Sequence, residues 1–116
     1  MKIIEKNTGT KIAYELNGTD LSFADGALTM DLARYQRDGT VMKDIMVDTE
    51  GNLVIGKGRY YAAQVEIPPR EYEEEVIPTP EQEGESGGET IKRTPLPLNT
   101  DDVTMYLFAI DGIVIY

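Results

Sequence analysis

The sequence predicts an all-β protein, folded as a small antiparallel β-sandwich or partly open barrel with a long hairpin arm. Turn signals recur at short intervals along the 116 residues, namely Thr8-Gly9, Asn17-Gly18, Asp25-Gly26, Asp38-Gly39, Gly51-Asn52 and Asp111-Gly112. Such pairs tolerate the positive φ angles that tight hairpin turns need. The segments between them are too short for helices and rich in β-forming residues. The length suits one domain, which we expect to span residues 1–116.

Two hairpins are predicted in the first third of the chain. Residues 2–5 pair with residues 11–16 around a turn at Asn7-Thr8-Gly9, and residues 21–23 pair with residues 27–32 around Asp25-Gly26.

A helix competes with a strand over residues 28–37. Leu28, Leu32 and Tyr35 fall at near-helical spacing, but residues 27–33 also alternate between apolar and polar. We favour the strand, followed by a single helical turn within residues 33–37.

Three further strands are predicted in the middle of the chain, at Val41–Val47, Leu53–Ile55 and residues 59–67. In the last of these, alternation assigns the core face to Tyr61, Ala63, Val65 and Ile67. Pro68 and Pro69 then end or bend the run.

A long hairpin arm is predicted after this corner. Residues 70–77 run outward and residues 90–94 return, while Pro95 and Pro97 remove ladder donors and confine the return strand to an edge. The segment TPEQEGESGGE is charged and rich in glycine, so we expect a flexible acidic insertion at about residues 79–89.

A second strong hairpin signal lies at the end of the sequence. Residues 103–110 and 113–116 flank Asp111-Gly112, and a two-residue turn would pair Ile110 with Ile113. Both faces of this hairpin are apolar, so we expect it in the interior of the fold or against a partner.

The net charge of −10 belongs mainly to one segment. Residues 71–89 hold eight glutamates and no basic residue, which leaves 13 acidic against 11 basic residues elsewhere. No cluster of Lys and Arg is present to neutralise phosphates, so we expect no nucleic-acid binding. No run of eighteen apolar residues is present, so we expect no membrane span. The N-terminus lacks the continuous apolar stretch of a secretory signal, so we expect the protein to be made and folded inside the cell.

The sequence offers little catalytic chemistry, because it contains no cysteine and no histidine. Asp101 and Asp102 are adjacent, so in a strand they would point to opposite faces. The group Asp48, Glu50 and Asn52 superficially resembles the start of a calcium loop but lacks the glutamate at the twelfth position. We predict no catalytic residue, no metal site, no cofactor and no small-molecule ligand.

The segments that remain as candidates for interaction are the arm, the tyrosines and the C-terminal hairpin. The glutamates could mimic nucleic acid, bind cations or dock on a basic partner, but a solvated spacer is the favoured interpretation. The tyrosines could form a recognition patch, although packing at sheet borders is the commoner use. The predicted interaction surface consists of Tyr60, Tyr72, Glu73, Glu74, Glu75, Tyr106, Ile113, Ile115 and Tyr116.

Three segments carry a resemblance to a family: KIAYELNGTDLSF, YYAAQVEIPPREY and PLPLNTDDVTMYLFAI. The chain resembles uncharacterised small β-rich proteins of prophage-like regions in gut Firmicutes and related bacteria. In those, an N-terminal hairpin, a V-x-I-P-x-R-x-Y segment and a C-terminal P-L-x-x-x-x-V-T-x-x-L-x-A strand recur. Residues 65–72 and 97–109 match the last two. The resemblance implies a phage-derived setting beside virion or tail genes, with the protein in the cytoplasm of the bacterial host or incorporated into a phage particle. It assigns no functional residue.

We therefore expect a non-enzymatic structural or interaction protein, a phage virion or tail-associated component that contacts a protein partner or a second copy of itself. An alternative is a soluble inhibitor of a host defence protein that uses the acidic hairpin as a decoy for a basic site. The least favoured hypothesis is an enzyme that works with carboxylates and tyrosines alone.

Overall fold

The computed structural model describes residues 1–78 and 89–115 as an all-β protein. Its ten strands are β1 (Lys2–Glu5), β2 (Tyr14–Asn17), β3 (Asp20–Phe23), β4 (Leu28–Asp31), β5 (Val41–Val47), β6 (Leu53–Ile55), β7 (Tyr60–Ile67), β8 (Tyr72–Pro78), β9 (Glu89–Pro95) and β10 (Thr104–Leu107). One helical turn, α1 (Leu32–Tyr35), and one 3-10 turn, Thr100–Asp102, complete the regular structure. The prediction of an all-β fold is confirmed, and none of the sheets closes into a barrel.

The large sheet has five strands in the order β1-β10-β7-β5-β6. All of its pairs are antiparallel except β1 with β10, which run parallel from Lys2 opposite Thr104 to Glu5 opposite Leu107. The predicted pairing of residues 2–5 with residues 11–16 is therefore wrong. Strands β1 and β10 are about a hundred residues apart in the chain. No local sequence pattern predicts a pairing between residues so far apart.

The small sheet has the order β2-β3-β4, with Asn17 opposite Asp20 and Phe23 opposite Leu28 across its two turns. The predicted hairpin around Asp25-Gly26 is confirmed, since β3 and β4 pair there. The predicted helical turn also forms, one residue earlier than expected. The Asp31 carboxylate caps it by accepting a hydrogen bond from the N–H of Ala33.

One apolar core joins the two sheets. Leu21, Phe23 and Met30 from the small sheet are buried with strand residues of the large sheet in a single cluster, to which α1 adds Leu32. The large-sheet members are Ile45, Val47, Ala62, Ala63, Val65, Ile67, Met105 and Leu107. The body is thus a two-layer sandwich, whose stability comes mainly from the apolar surface that the layers remove from water.

The predicted alternation of β7 is wrong at the start of the strand, because the strand contains a β-bulge. Ile45 lies opposite Ala63, but the next residue of β5, Met46, lies opposite Tyr61, so Ala62 is the extra residue. The bulge reverses the phase of the strand. Ala62 and Ala63 are both buried, whereas Tyr61, predicted to face the core, is 42% exposed on the other side of the sheet.

The arm consists of β8 and β9, which pair with each other in a two-stranded ribbon. The predicted long hairpin is confirmed in its two strands, and the acidic insertion lies largely outside the described residues. Almost every described side chain of the arm is exposed. The molecule accordingly measures 74 Å along its longest axis and 23 and 21 Å across it.

The C-terminal hairpin predicted around Asp111-Gly112 does not form. The turn is present, because the N–H of Ile113 donates to the carbonyl of Ile110 over 3.0 Å. However, strand β10 ends at Leu107, and residues 108–110 and 113–115 on either side of the turn carry no strand. Two-residue hairpins use type I′ or II′ turns, and both types need a positive φ at the first central position, here Asp111. Of the two central residues only Gly112 has a positive φ, +78°. The flanks therefore separate instead of pairing.

Candidate functional site

Seven of the nine residues of the predicted interaction surface lie in three separate places instead of one. The arm carries Tyr72, Glu73, Glu74 and Glu75; the outer face of the large sheet carries Tyr106; and a surface groove near the C-terminal segment carries Tyr60 and Ile113. Ile115 packs against the core, and Tyr116 lies outside the described residues. The sequence therefore identified candidate side chains but not their grouping.

The groove has a volume of about 380 Å³ and lies between the β5–β6 connection and the C-terminal segment. Tyr60 forms part of its wall, and the guanidinium of Arg59 lies 5.4 Å from the centre of that tyrosine ring. Asp48 is at another wall, where its carboxylate accepts the main-chain N–H groups of Glu50 and Asn52, each over 2.9 Å. These bonds engage the Asp48 carboxylate in shaping the turn.

The outer face of the large sheet presents a small aromatic patch. The rings of Tyr61 and Phe108 lie 5.3 Å apart and are tilted by 35°, which is a favourable geometry for two aromatic rings. The ammonium of Lys6 lies 5.4 Å from the centre of the Tyr106 ring. Neither tyrosine is therefore free of intramolecular contacts.

The root of the arm is tied to the body through buried and polar contacts. Gln36, which is buried, donates from its side-chain amide to the carbonyls of Pro68 and Pro69 over 3.2 and 3.4 Å. The main-chain N–H of Arg70 donates to the carbonyl of Arg37 over 2.8 Å. These bonds fix the double-proline corner on the body, so the arm leaves it in a defined direction.

Tyr72 and Asp38 add a second attachment at the first residue of β8. The Tyr72 hydroxyl donates to the Asp38 carboxylate over 2.5 Å, and the guanidinium of Arg70 lies 3.9 Å from the same oxygen. Hydrogen bonds to an ionised acceptor are shorter and stronger than those between neutral groups. Tyr72, predicted as an interaction residue, thus serves first to hold the arm.

Along one face of the arm, charged side chains are paired across the two strands. Glu74 lies opposite Arg93 with 3.4 Å between their charged atoms, and the Arg93 guanidinium lies 4.2 Å from the centre of the Tyr72 ring. On the other face, Glu75 lies opposite Lys92. Two of the glutamates that the less favoured docking hypothesis would use therefore have a basic residue opposite them within the arm.

Beyond these charges, the arm exposes an apolar pair that the sequence analysis missed. Val76 lies directly opposite Ile91, and their exposed fractions are 56% and 59%. They share a face with the Glu74–Arg93 pair, because residues two apart on a strand point the same way. The available signal was the presence of apolar residues at positions 76 and 91 in a hairpin rich in charged residues.

The hydrogen-bond register fixes which main-chain groups of the arm point outward. The N–H of Leu96 donates to the carbonyl of Glu71 over 2.8 Å, so this opposed pair is of the hydrogen-bonded type. Pair types alternate along an antiparallel ladder, and the same register continues to the end of β8. Even-numbered residues of β8 and odd-numbered residues of β9 therefore direct their N–H and C=O groups away from the ribbon.

The prolines of the arm agree with this assignment. Pro78 and Pro95 both fall at outward-directed positions, where a missing N–H breaks no bond within the ribbon. The outer edge of β8 thus offers complete main-chain groups at Tyr72, Glu74 and Val76. The outer edge of β9 offers them at residues 89, 91 and 93.

Among the described residues, two carboxyl groups have pKa values below their ordinary range, and both have structural roles. The main-chain N–H of Asn52 is the largest cause for Asp48, and that of Thr10 is the largest cause for Asp111. Within the described ranges, no group of three or more acidic residues could hold a metal ion. None of the described helices is long and apolar enough to cross a membrane.

Comparison of the chain with protein-family models, with curated proteins and with solved structures finds no significant match in any of the three.

Proposed function

We propose that the protein is a non-enzymatic structural or interaction protein, in which the sandwich body is the anchor and the arm docks on another protein. The setting that the sequence resemblance suggests, a phage virion or tail-associated assembly, is part of this proposal. The observation that carries it is the arm itself, a pair of seven-residue strands that is anchored at one end and, in the described part of the chain, hydrogen-bonded to no other sheet.

Such a ribbon adds little to the stability of the body. A two-stranded hairpin alone is marginally stable in water, and ordering each of its residues costs about 1–2 kcal/mol of backbone entropy. The arm also leaves Val76 and Ile91 in water. A docked state would cover this apolar pair and occupy the outward main-chain groups, which is how sheet edges bind extended partners.

The described part of the arm gives no specific support to the acidic-decoy alternative. Glu74 is paired with Arg93, and Glu75 faces Lys92 across the strands. A decoy for a basic site would present carboxylates without internal cations. We therefore keep one proposed function.

Site-specific photo-crosslinking tests this function. A photoreactive amino acid replaces Val76 in the full chain, and a second variant carries it at Val114, which is 61% exposed on the body. Both variants are irradiated in the native cell, and the adducts are identified by mass spectrometry.

We expect protein adducts from position 76 well above those from position 114, because only the arm docks. An adduct with this chain and an adduct with a different protein both agree with the proposed function. Equal adducts at the two positions, or none at position 76, would overturn it.

A further inference from the structure

We propose that the arm docks on a second copy of this chain, with β9 pairing antiparallel to β9 of the other copy in a register centred on Ile91. The result is a four-stranded sheet in the order β8-β9-β9-β8. This inference rests on the proposed function, because it names the occupant of the arm.

Charge selects β9 over β8 as the pairing edge. An antiparallel pair of β8 strands centred on Glu74 places Glu74 opposite itself and Glu73 opposite Glu75, and like charges directly opposite each other destabilise a sheet. Shifting the centre to Val76 places Glu74 opposite Pro78, which has no N–H to offer. Neither of these two registers of β8 with itself satisfies both the charges and the main chain.

The edge of β9 satisfies both requirements. With Ile91 of one copy opposite Ile91 of the other, Lys92 faces Thr90 and Arg93 faces Glu89, so no two basic residues are opposed. Residues 89, 91 and 93 direct their main-chain groups outward. They can therefore exchange hydrogen bonds with the same residues of the second copy.

Prolines and apolar side chains fix the register. Pro95 is the last residue of β9 whose main-chain groups point outward, and it has no N–H. Pairing between the two β9 strands therefore stops before the root of the arm. Val76 lies beside Ile91 on the same face. The proposed sheet therefore carries a continuous apolar row of Val76, Ile91, Ile91 and Val76, which covers surface that the single arm exposes.

The shape of the molecule agrees with a two-fold arrangement. Antiparallel β9 strands send the two arms in opposite directions, so the two bodies lie at opposite ends of the sheet. A stack of arms pointing the same way would instead repeat about every 10 Å, twice the spacing between strands. Bodies that measure 23 and 21 Å across cannot fit that repeat. The arrangement is closed and predicts a dimer.

Cysteine variants test the register, since the natural chain has no cysteine. In the full purified chain, Ile91→Cys places two sulfurs across a hydrogen-bonded pair, with about 5.5 Å between Cα atoms, within the range of a disulfide. Val76→Cys is the matched control, equally exposed on the same face. In the dimer its two copies stand three strand spacings apart, about 14 Å.

Under mild oxidation we expect Ile91→Cys to form a covalent dimer at least tenfold faster than Val76→Cys. A faster reaction of Val76→Cys would overturn the inference and indicate pairing through β8. Equal rates, or no dimer from either variant, would also overturn it.

Proline variants test the same edge without a covalent bond. Ile91→Pro removes an outward N–H and leaves the β8–β9 ladder intact, and Val76→Pro does the same on the other edge. Sedimentation should show a concentration-dependent dimer for the natural chain and Val76→Pro, and at least a tenfold weaker one for Ile91→Pro. A strictly monomeric natural chain would contradict self-pairing while leaving adducts with a different protein, and so the proposed function, intact.

Discussion

The main-chain N–H of Thr10 donates to the carboxylate of Asp111 over 2.8 Å and joins two residues 101 positions apart. The contact is part of a clamp between the first loop and the end of the chain. The N–H of Ala109 donates to the side-chain oxygen of Asn7 over 2.6 Å, and the N–H of Ile110 donates to the carbonyl of Thr10 over 2.8 Å. The clamp continues the parallel pairing of β1 with β10 and holds the N-terminal edge on the sandwich.

Gly9 lies inside this clamp, and substitution with alanine should destabilise the fold. A Cβ there would stand 2.1 Å from the Asp111 carboxylate and 2.8 Å from Cβ of Ala109, at a φ of +140°. We expect Gly9→Ala to lower the free energy of unfolding by about 1–3 kcal/mol in urea denaturation. Gly39→Ala is the control, since its Cβ meets nothing within 4 Å. Equal stability of the two variants would contradict the clamp.

The pKa of Asp111 makes the clamp sensitive to acid. Hydrogen bonding to Thr10 lowers that pKa below the ordinary value of 3.8, so the folded chain releases this proton more readily than the unfolded chain. The stabilisation is therefore present above pH 3.8 and lost as the pH falls through the lowered pKa.

Asp111→Asn should consequently have a lower free energy of unfolding than the natural chain at pH 7. This difference should shrink as the pH falls below 3.8 and through the lowered pKa of Asp111. Urea denaturation at a series of pH values measures it. A difference that stays constant between pH 7 and pH 2 would show that the charge of Asp111 plays no part.

The core between the two sheets can be tested with two phenylalanines. Phe23 has no exposed surface, whereas Phe108 is half-buried on the outer face of the large sheet. Phe23→Ala should lower the free energy of unfolding by about 3–5 kcal/mol, as expected for a fully buried ring. Phe108→Ala should lower it by clearly less. The reverse order in urea denaturation would contradict the packing of the two layers.

Removal of the Tyr72 hydroxyl should loosen the arm without affecting the body. A hydrogen bond contributes about 1 kcal/mol to stability, so Tyr72→Phe should speed the exchange of the Glu73 and Glu75 amides by about fivefold. These amides face β9 in the ladder. The Val65 amide in β7 provides the control and should be unchanged. Unchanged exchange at Glu73 and Glu75 would mean that the Asp38 contact does not hold the arm.

Where the structure depends on neighbouring residues in the chain, the sequence predicted it well. Val41–Val47 and Leu53–Ile55 form strands with the predicted bounds, and the turn at residues 25–26 joins the predicted hairpin. Glycine, asparagine and aspartate at these turns favour one backbone geometry by themselves. The strands of the arm were predictable from the double-proline corner before them and from the extended segments 70–77 and 90–94.

Contacts between distant residues were not predictable. The partner of β1 lies at the other end of the chain, and the Asp111-Gly112 turn takes a different type while its aspartate binds Thr10. The bulge at Ala62 shifted the faces of β7, because a strict alternation cannot reveal an inserted residue.

In the candidate site too, features set by neighbouring residues were predictable and contacts between distant residues were not. The residues of the arm could be named from the sequence, but the pairing of Glu74 with Arg93 and the exposure of Val76 and Ile91 depend on strand register. The buried Gln36 at the root had no signal, since a polar residue after a helical turn is usually exposed.

Hydrogen exchange of individual arm amides, followed by NMR at low and high protein concentration, tests the central claim most directly. The amides of Ile91 and Arg93 point away from the ribbon, as do those of Glu74 and Val76 on the opposite edge. At low concentration all four should exchange rapidly. At high concentration Ile91 and Arg93 should become protected at least tenfold, while Glu74 and Val76 should not. Rapid exchange of all four at every concentration, including in the presence of the proteins that crosslink to the arm, would contradict the account.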